Sequence, residues 1–190
     1  MTTTNPRTPD HSIHDQFIDR WSPRSFDPSP LSADTIMSLF EAARWAPSCF
    51  NAQPWRFFYA SSDSSREKFL DTLVPKNQLW AEKAPLLVYI VAEKNFSHNG
   101  KPNRFAAFDA GAAWISLAFQ ARHMGLYTHA MAGYNLDKAF HLLNLKSDEH
   151  EILAAVAIGK QAGPLELHPD FQKMEKPNTR DPIADKVTEI

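Results

Sequence analysis

Apolar positions recur at helical spacing in several stretches of the chain. The clearest pattern predicts a helix from an N-cap at Ser32 to Trp45, closed by Pro47. Its apolar face consists of Ile36, Leu39, Phe40 and Ala43. A shorter helix is predicted from Ser12 to Trp21, where Pro23 would stop it. Further helices are predicted at about residues 64–73 and 136–145.

Other stretches have the composition of β-strands. WRFFYA, residues 55–60, is rich in aromatic residues and lies between Pro54 and a Ser/Asp turn cluster. APLLVYIVAE, residues 84–93, is apolar without alternation, which is typical of a strand covered on both faces. Additional strands are predicted near residues 127–131 and at 152–159. The mixture of helices and strands predicts a layered α/β core in one domain.

The longest predicted helix runs from about Arg104 to Met124, with Gly125 as its C-cap. It is apolar nearly all round, which indicates a central buried helix or a subunit interface. Asp109 is anomalous within it, and we interpret it as a structural, interface-capping residue. The last part of the chain, residues 160–190, is rich in proline and lacks periodicity, so we expect an arm that packs elsewhere.

Composition and net charge argue against several classes of function. With 190 residues, 43% of them apolar, and a formal net charge of −2, the chain has no global field that would attract nucleic acid or an anionic membrane. Neither a signal peptide nor a bilayer-spanning run is visible, so we expect a cytoplasmic protein. Cys49 is the single cysteine, and the eight histidines show no metal-ligand spacing. We therefore expect no metal.

Three polar clusters are candidate sites. RWSPRSF, residues 20–26, places two arginines four residues apart with hydroxyls between them, which suits a phosphate but also fits a solvated helix end. PSCFNAQPW, residues 47–55, is either a binding loop or a turn in which Asn51 bonds its own backbone. NTRDP, residues 178–182, contributes a lone arginine in the arm.

None of the six glycines lies in a GxGxxG or GxxxxGK[ST] pattern, and no GxSxG elbow occurs. In contrast, the order and spacing of the three clusters, of Asn77 before a strand, and of DAGAAWISLAFQARHMGLYTHAMAGYN resemble the FMN-dependent nitroreductase family over nearly the whole chain. The resemblance implies an α+β fold with a central, mainly antiparallel sheet flanked by helices. It also implies an intertwined homodimer that exchanges C-terminal arms and shares two FMN sites. Residues 1–11 would be a flexible N-terminus and residues 12–190 one FMN-binding domain, with the arm from about residue 160.

The resemblance also implies roles for individual residues. Arg20 and Ser22, with Arg180, would bind the FMN phosphate, and Trp21, between Arg20 and Ser22 in the sequence, would also belong to the cofactor-binding residues. Arg24 and Asn77 would approach the pyrimidine edge of the flavin. The segment that would run past the central ring consists of Ala130, Met131, Ala132 and Gly133. The loop that would reach the partner's flavin contains Pro47, Ser48, Cys49 and Asn51.

Two positions depart from the family pattern. Ala132 stands where many relatives have an acidic residue, and Asn178 stands where a lysine often accompanies the C-terminal arginine. Two further residues leave alternatives open. Cys49 is either a redox sensor or a small buried apolar residue. His129 either donates a proton to substrate or is packed against a carbonyl.

The implied activity is hydride transfer from NADH or NADPH through bound FMN to an electron-poor acceptor by a ping-pong mechanism. A nitroaromatic, a quinone or an activated alkene would serve as acceptor. The cofactor would carry the chemistry, which agrees with the lack of a visible acid–base dyad. The alternatives are a non-catalytic flavin-binding store or sensor, and a reductive dehalogenase on the same scaffold.

Overall fold

The computed structural model describes residues 5–190 and contains one four-stranded sheet. Its strands are β1 (Trp55–Ala60), β2 (Leu86–Glu93), β3 (Tyr127–Met131) and β4 (His150–Gly159). Their order across the sheet is β1-β2-β4-β3, and every neighbouring pair is antiparallel. The predicted α+β class with a central antiparallel sheet is therefore confirmed.

Strand β2 is central because both of its faces are covered. Leu86, Val88 and Ile90 pack on one side of the sheet, while Leu87, Tyr89 and Val91 pack on the other. All six residues are at most 3% exposed. The apolar run without alternation is thus explained by two hydrophobic cores, one on each face.

Seven α-helices occur among residues 5–190. They are α1 (Gln16–Asp19), α2 (Ala33–Arg44), α3 (Asp63–Leu70), α4 (Pro75–Ala81), α5 (Ala106–His123), α6 (Leu136–Leu143) and α7 (Pro169–Gln172). Helices α2 and α5 cover one face of the sheet, where α2 contributes Leu39 and Ala43 to the core. On the other face, Phe69 of α3, Trp80 of α4 and Ala139 of α6 pack with Phe171 of α7.

The predicted boundaries agree with the structure for the longer helices, whereas the short helices α1, α4 and α7 were mispredicted or missed. Helix α1 has only four residues and no side-chain N-cap, so the prediction of a helix over residues 12–21 was too long. Helix α4 was not predicted. Its signal is Pro75 at the first helical position, where a missing N–H costs nothing.

The C-terminal arm, residues 160–190, packs against its own chain at residues 25–27. The N–H of Asp27 donates to the carbonyl of Lys160, and the N–H of Ala162 donates to the carbonyl of Ser25. Leu167 and Phe171 are buried in the core. Exchange of the arm between two subunits stays a prediction.

No helix among residues 5–190 combines the length and the apolar character needed to cross a membrane.

The N-cap of α2 generates a test of stability. The Ser32 hydroxyl accepts a 3.1 Å hydrogen bond from the N–H of Thr35. We expect Ser32→Ala to lower the free energy of unfolding by about 1 kcal/mol, because one N–H of the first turn loses its partner. Ser32→Asp keeps an acceptor and should stay within a few tenths of wild type. Urea unfolding of the two variants measures the difference, and equal midpoints would contradict the role of this cap.

Candidate functional site

Residues 20–26, the arginine segment, follow α1 and alternate between buried and half-buried positions. Trp21, Pro23 and Ser25 are buried, whereas Arg20, Ser22 and Arg24 are half-buried. The Trp21 ring packs edge-on against Tyr127, with ring centroids 6.2 Å apart. The buried side chains therefore anchor the segment in the core, while the side chains of Arg20, Ser22 and Arg24 stay partly accessible to solvent.

A cavity of about 430 Å³ opens beside the arginine segment, and we call it the arginine cavity. Its volume lies within the range of small-ligand sites. It is lined by Arg7, Arg20, Trp21, Ser22, Arg24, His129, Met174, Lys176, Pro177, Asn178 and Arg180. The structure thus brings Arg180 from the arm into the same cavity as Arg20 and Ser22, the grouping that the family resemblance implies. None of these lining residues is acidic.

The charges in the arginine cavity repel one another. Burial, and then the nearby charge of Arg180, lower the pKa of Arg20 below its usual value. The pKa of Arg7 is lowered by burial, by Arg180 and by Arg20. Partly buried cations without a carboxylate among them are costly unless an anion joins them. The donor set, with guanidinium forks and the Ser22 hydroxyl, suits a phosphate or a comparable anion.

Glu175 fixes the backbone of the arginine segment. Its carboxylate accepts hydrogen bonds from the N–H of Arg24, at 2.9 and 3.0 Å, and from the N–H of Ser25, at 2.9 Å. Only 3% of this residue is exposed. Burial raises its pKa above the usual value, and the backbone donors oppose that rise. Glu175 therefore couples the C-terminal arm to the orientation of Arg24.

His129 is packed rather than poised for proton transfer. Its Nδ1 lies 2.9 Å from the carbonyl oxygen of Pro23, so this nitrogen carries the proton and donates. Its ring lies 4.5 Å from that of Trp80. Burial, reinforced by the charge of Arg24, lowers its pKa to about 4 despite the Pro23 hydrogen bond. The ring is neutral at pH 7, which favours the packed interpretation over proton donation.

The side chain of Asn77 lies against Gly133, which follows shortly after the end of β3. The Nδ2 of Asn77 donates a 3.0 Å hydrogen bond to the Gly133 carbonyl. A Cβ atom at position 133 would lie only 2.5 Å from that nitrogen, so the approach requires glycine. Ala130 and Ala132 are exposed, but Met131 is 5% exposed and lies in the core. Because the side chain of Met131 is buried, a ligand could contact only its main chain.

Residues 47–53, the polar loop, are strained. Phe50, Asn51 and Gln53 have φ values of 53°, 56° and 48°, in the left-handed region that non-glycine residues seldom adopt. The alternative in which Asn51 bonds its own backbone is wrong. Instead, the Ser48 hydroxyl accepts from the Gln53 N–H at 3.0 Å. Such strain persists only where the surroundings impose it, and it is typical of binding sites.

Asp109 of α5 holds the polar loop in place. Its Oδ2 accepts a 3.0 Å hydrogen bond from the N–H of Cys49, and the residue is 3% exposed. This contact explains the carboxylate inside an apolar helix, because the buried charge has a backbone donor to satisfy it. Among residues 5–190, no hydrogen bond joins the polar loop to residues lining the arginine cavity. Within one chain, the two candidate regions are separate.

Arg7, Glu175 and Lys176 were missed from the sequence. Arg7 lies in a segment of threonines and prolines, and the two arm residues lie in a stretch without periodicity. The only signal available was a set of isolated charges at the two ends of the chain, which carries no information about distance in space.

Comparison with known proteins agrees with this architecture. A crystal structure described as an oxidoreductase containing FMN is 40% identical, with a TM-score of 0.93, and the match covers 100% of this chain and 97% of that one. CLA-ER, described as an enone reductase of gut-bacterial fatty acid metabolism, shares the fold, with a TM-score of 0.75, 20% identity and coverage of 93% and 96%.

A Streptomyces coelicolor protein that bears the provisional name NADH dehydrogenase/NAD(P)H nitroreductase is 29% identical over 195 residues. That match covers 90% of this chain and 92% of the relative. The model of the nitroreductase family matches residues 18–75 and 72–160, which include the arginine segment, the polar loop, Asn77 and Gly133. The chain therefore belongs to the nitroreductase family.

Proposed function

We propose that the protein is an NAD(P)H-dependent oxidoreductase that uses FMN. The observation that carries this proposal is the arginine cavity of a chain of this family. Its lining contains five cationic side chains, of which Arg7, Arg20 and Arg24 are half-buried, and no acidic residue. Two comparisons support it: a structure at 40% identity is described as containing FMN, and a relative is named for NAD(P)H.

The residues present fit FMN at both of its ends. Arg20, Ser22 and Arg180 would bind the phosphate, because guanidinium and hydroxyl donors match its oxygens. Arg24 and Asn77 would approach the pyrimidine edge, and the exposed Ala130 and Ala132 would border the central ring. A dinucleotide such as FAD is disfavoured, because the chain has no glycine-rich turn for a pyrophosphate.

The protein's part in the reaction is positioning and charge. Bound FMN would supply the transfer of reducing equivalents from NADH or NADPH to a second substrate. With FMN bound as proposed, the guanidinium of Arg24 would favour negative charge at the pyrimidine edge. His129 stays neutral and bonded to Pro23, so any proton delivered to the acceptor comes from elsewhere.

We also propose a homodimer in which each site is shared. Trp45, Phe50 and Phe108 are 74%, 83% and 77% exposed, which is unusual for large apolar side chains. A second copy of the chain would cover them. In that arrangement the polar loop, including Pro47, Ser48, Cys49 and Asn51, would reach the arginine cavity of the partner. Its strained backbone is already set within one chain by Asp109.

The acceptor belongs to an electron-poor class, namely nitroaromatics, quinones or activated alkenes, and it would alternate with the nicotinamide in a ping-pong cycle. A flavin store or sensor and a reductive dehalogenase remain the alternatives. Cytoplasmic location stays a prediction.

Flavin identity and reduction test the proposal. We expect the purified protein to be yellow and to release FMN on heating, identified by chromatography. In stopped flow, NADH or NADPH should bleach the flavin within seconds, and a panel of the three acceptor classes should restore its absorbance. Release of FAD would contradict the FMN assignment. Bleaching far slower than steady-state turnover of typical enzymes would instead indicate a store or sensor.

Substitution of the two arginines should separate their roles. Arg24→Ala should leave FMN bound but lower its midpoint potential by about 30 mV, equivalent to about 1.4 kcal/mol for two electrons, because a favourable charge is lost. Arg20→Ala should weaken FMN binding roughly tenfold to a hundredfold with little change in potential. Spectroelectrochemistry and fluorescence titration measure these effects. Arg24→Lys is the control that keeps the charge, and identical behaviour of the Arg20 and Arg24 variants would refute the division.

Mixing of subunits tests the shared site. A chain with Arg20→Ala and a differently tagged chain with Ser48→Ala and Asn51→Ala are unfolded, mixed and refolded. In the heterodimer one site receives all lesions and the other is wild type, so activity should rise toward about half of wild type. The two parental homodimers are the controls. A heterodimer no more active than either parent would exclude sites built from two chains.

A further inference from the structure

Arg7 is bound entirely by oxygen atoms that carry no formal charge. Its Nε donates to the Asn178 carbonyl at 2.8 Å, and its Nη1 donates to the carbonyls of Ile18 and Arg20, at 2.9 and 2.7 Å. A longer contact of 3.4 Å joins Nη2 to Oδ1 of Asn178. Arg7 therefore ties the end of α1 to the arm. Nothing in the sequence pattern predicted these contacts.

The charge of Arg7 has no counterpart in this arrangement. Among residues 5–190, no carboxylate lies within ion-pair distance of its guanidinium. Burial lowers the pKa of Arg7, and the charges of Arg180 and Arg20, which line the same cavity, lower it further. A purely structural tether needs donors but gains nothing from a third positive charge beside two others. The hydrogen bonds to carbonyls hold Arg7 in place, and an anion in the cavity would offset the repulsion among the three charges.

The segment that carries Arg180 is held at both sides by the N-terminal residues. Arg7 binds Asn178 on one side, and Oδ2 of Asp10 accepts a 2.8 Å hydrogen bond from the N–H of Ile183 on the other. Arg180 itself donates only to the adjacent Thr179 carbonyl, at 2.9 Å, so its own contacts do not fix its position. Residues 5–11 thus determine where Arg180 enters the cavity.

We propose that Arg7 is a phosphate-binding residue of the FMN site and that it also positions Arg180. The inference rests on the proposed function, since the anion is taken to be the phosphate of FMN. The relevant chemistry is a phosphate monoester dianion, to which a third guanidinium group adds further attraction and hydrogen-bond donors. Residues 5–11 then form a wall of the cofactor site.

Binding of FMN and of riboflavin to the apoprotein tests this role, because riboflavin lacks only the phosphate. Arg7→Gln and Arg7→Met remove the charge, and the amide of the former can still donate to carbonyls. Arg7→Lys keeps the charge. Arg56→Met is the matched control, since Arg56 pairs with Glu93 and does not line the cavity.

We expect both uncharged variants to bind FMN at least tenfold more weakly and riboflavin within twofold of wild type, as measured by flavin fluorescence quenching. Arg7→Lys should recover part of the FMN affinity. The dependence of FMN affinity on salt should be weaker in the uncharged variants, because one cation has been removed. If only one uncharged variant folds, it carries the test alone. Arg56→Met should match wild type.

Two results overturn the inference while leaving the proposed function intact. One is FMN affinity of the uncharged variants within twofold of wild type. The other is an equal loss for FMN and riboflavin, which marks a purely structural role. If the wild-type apoprotein itself binds neither flavin, the proposed function fails, and this inference fails with it.

Discussion

The buried carboxylate of Glu175 is the interaction on which the candidate site depends. An ionised carboxylate is expensive to bury, and here three hydrogen bonds from the N–H groups of Arg24 and Ser25 compensate it. Glu175 belongs to the arm, and its donors belong to the arginine segment. The cost of burying the carboxylate is therefore offset only when the arm packs against the arginine segment. Their packing brings Arg180 toward Arg20. The cluster of cations is therefore a consequence of one buried anion outside it.

Local features of the fold were readable from the sequence, whereas the long-range contacts of the site were not. The hydroxyl of Ser32 and the unbroken apolar run of β2 act within a few residues, so their patterns predicted α2 and the central strand correctly. The contact between Arg7 and Asn178 joins residues 171 positions apart. No periodicity reports such a contact, and the motif resemblance covered only the residues that the family shares.

Asp109 shows how an anomaly in a sequence becomes informative once the fold is known. A carboxylate on an apolar helix invites the interpretation of an interface residue. In the structure Asp109 has a role within its own chain. It accepts a hydrogen bond from the N–H of Cys49 and so stabilises a loop with three residues at positive φ. These contacts lie within one chain, so the proposed dimer would form at a lower cost in conformational entropy of the loop.

The crowding of Arg7, Arg20 and Arg180 also has a consequence for how the stability of the fold depends on a bound anion. Their like charges line one cavity, so an anion that binds only the folded state would add to its stability. A ligand at one hundred times its dissociation constant adds about 2.7 kcal/mol. With FMN as that anion, as proposed above, chains made when flavin is scarce would unfold more often and be degraded first. The amount of folded protein would then follow the supply of flavin.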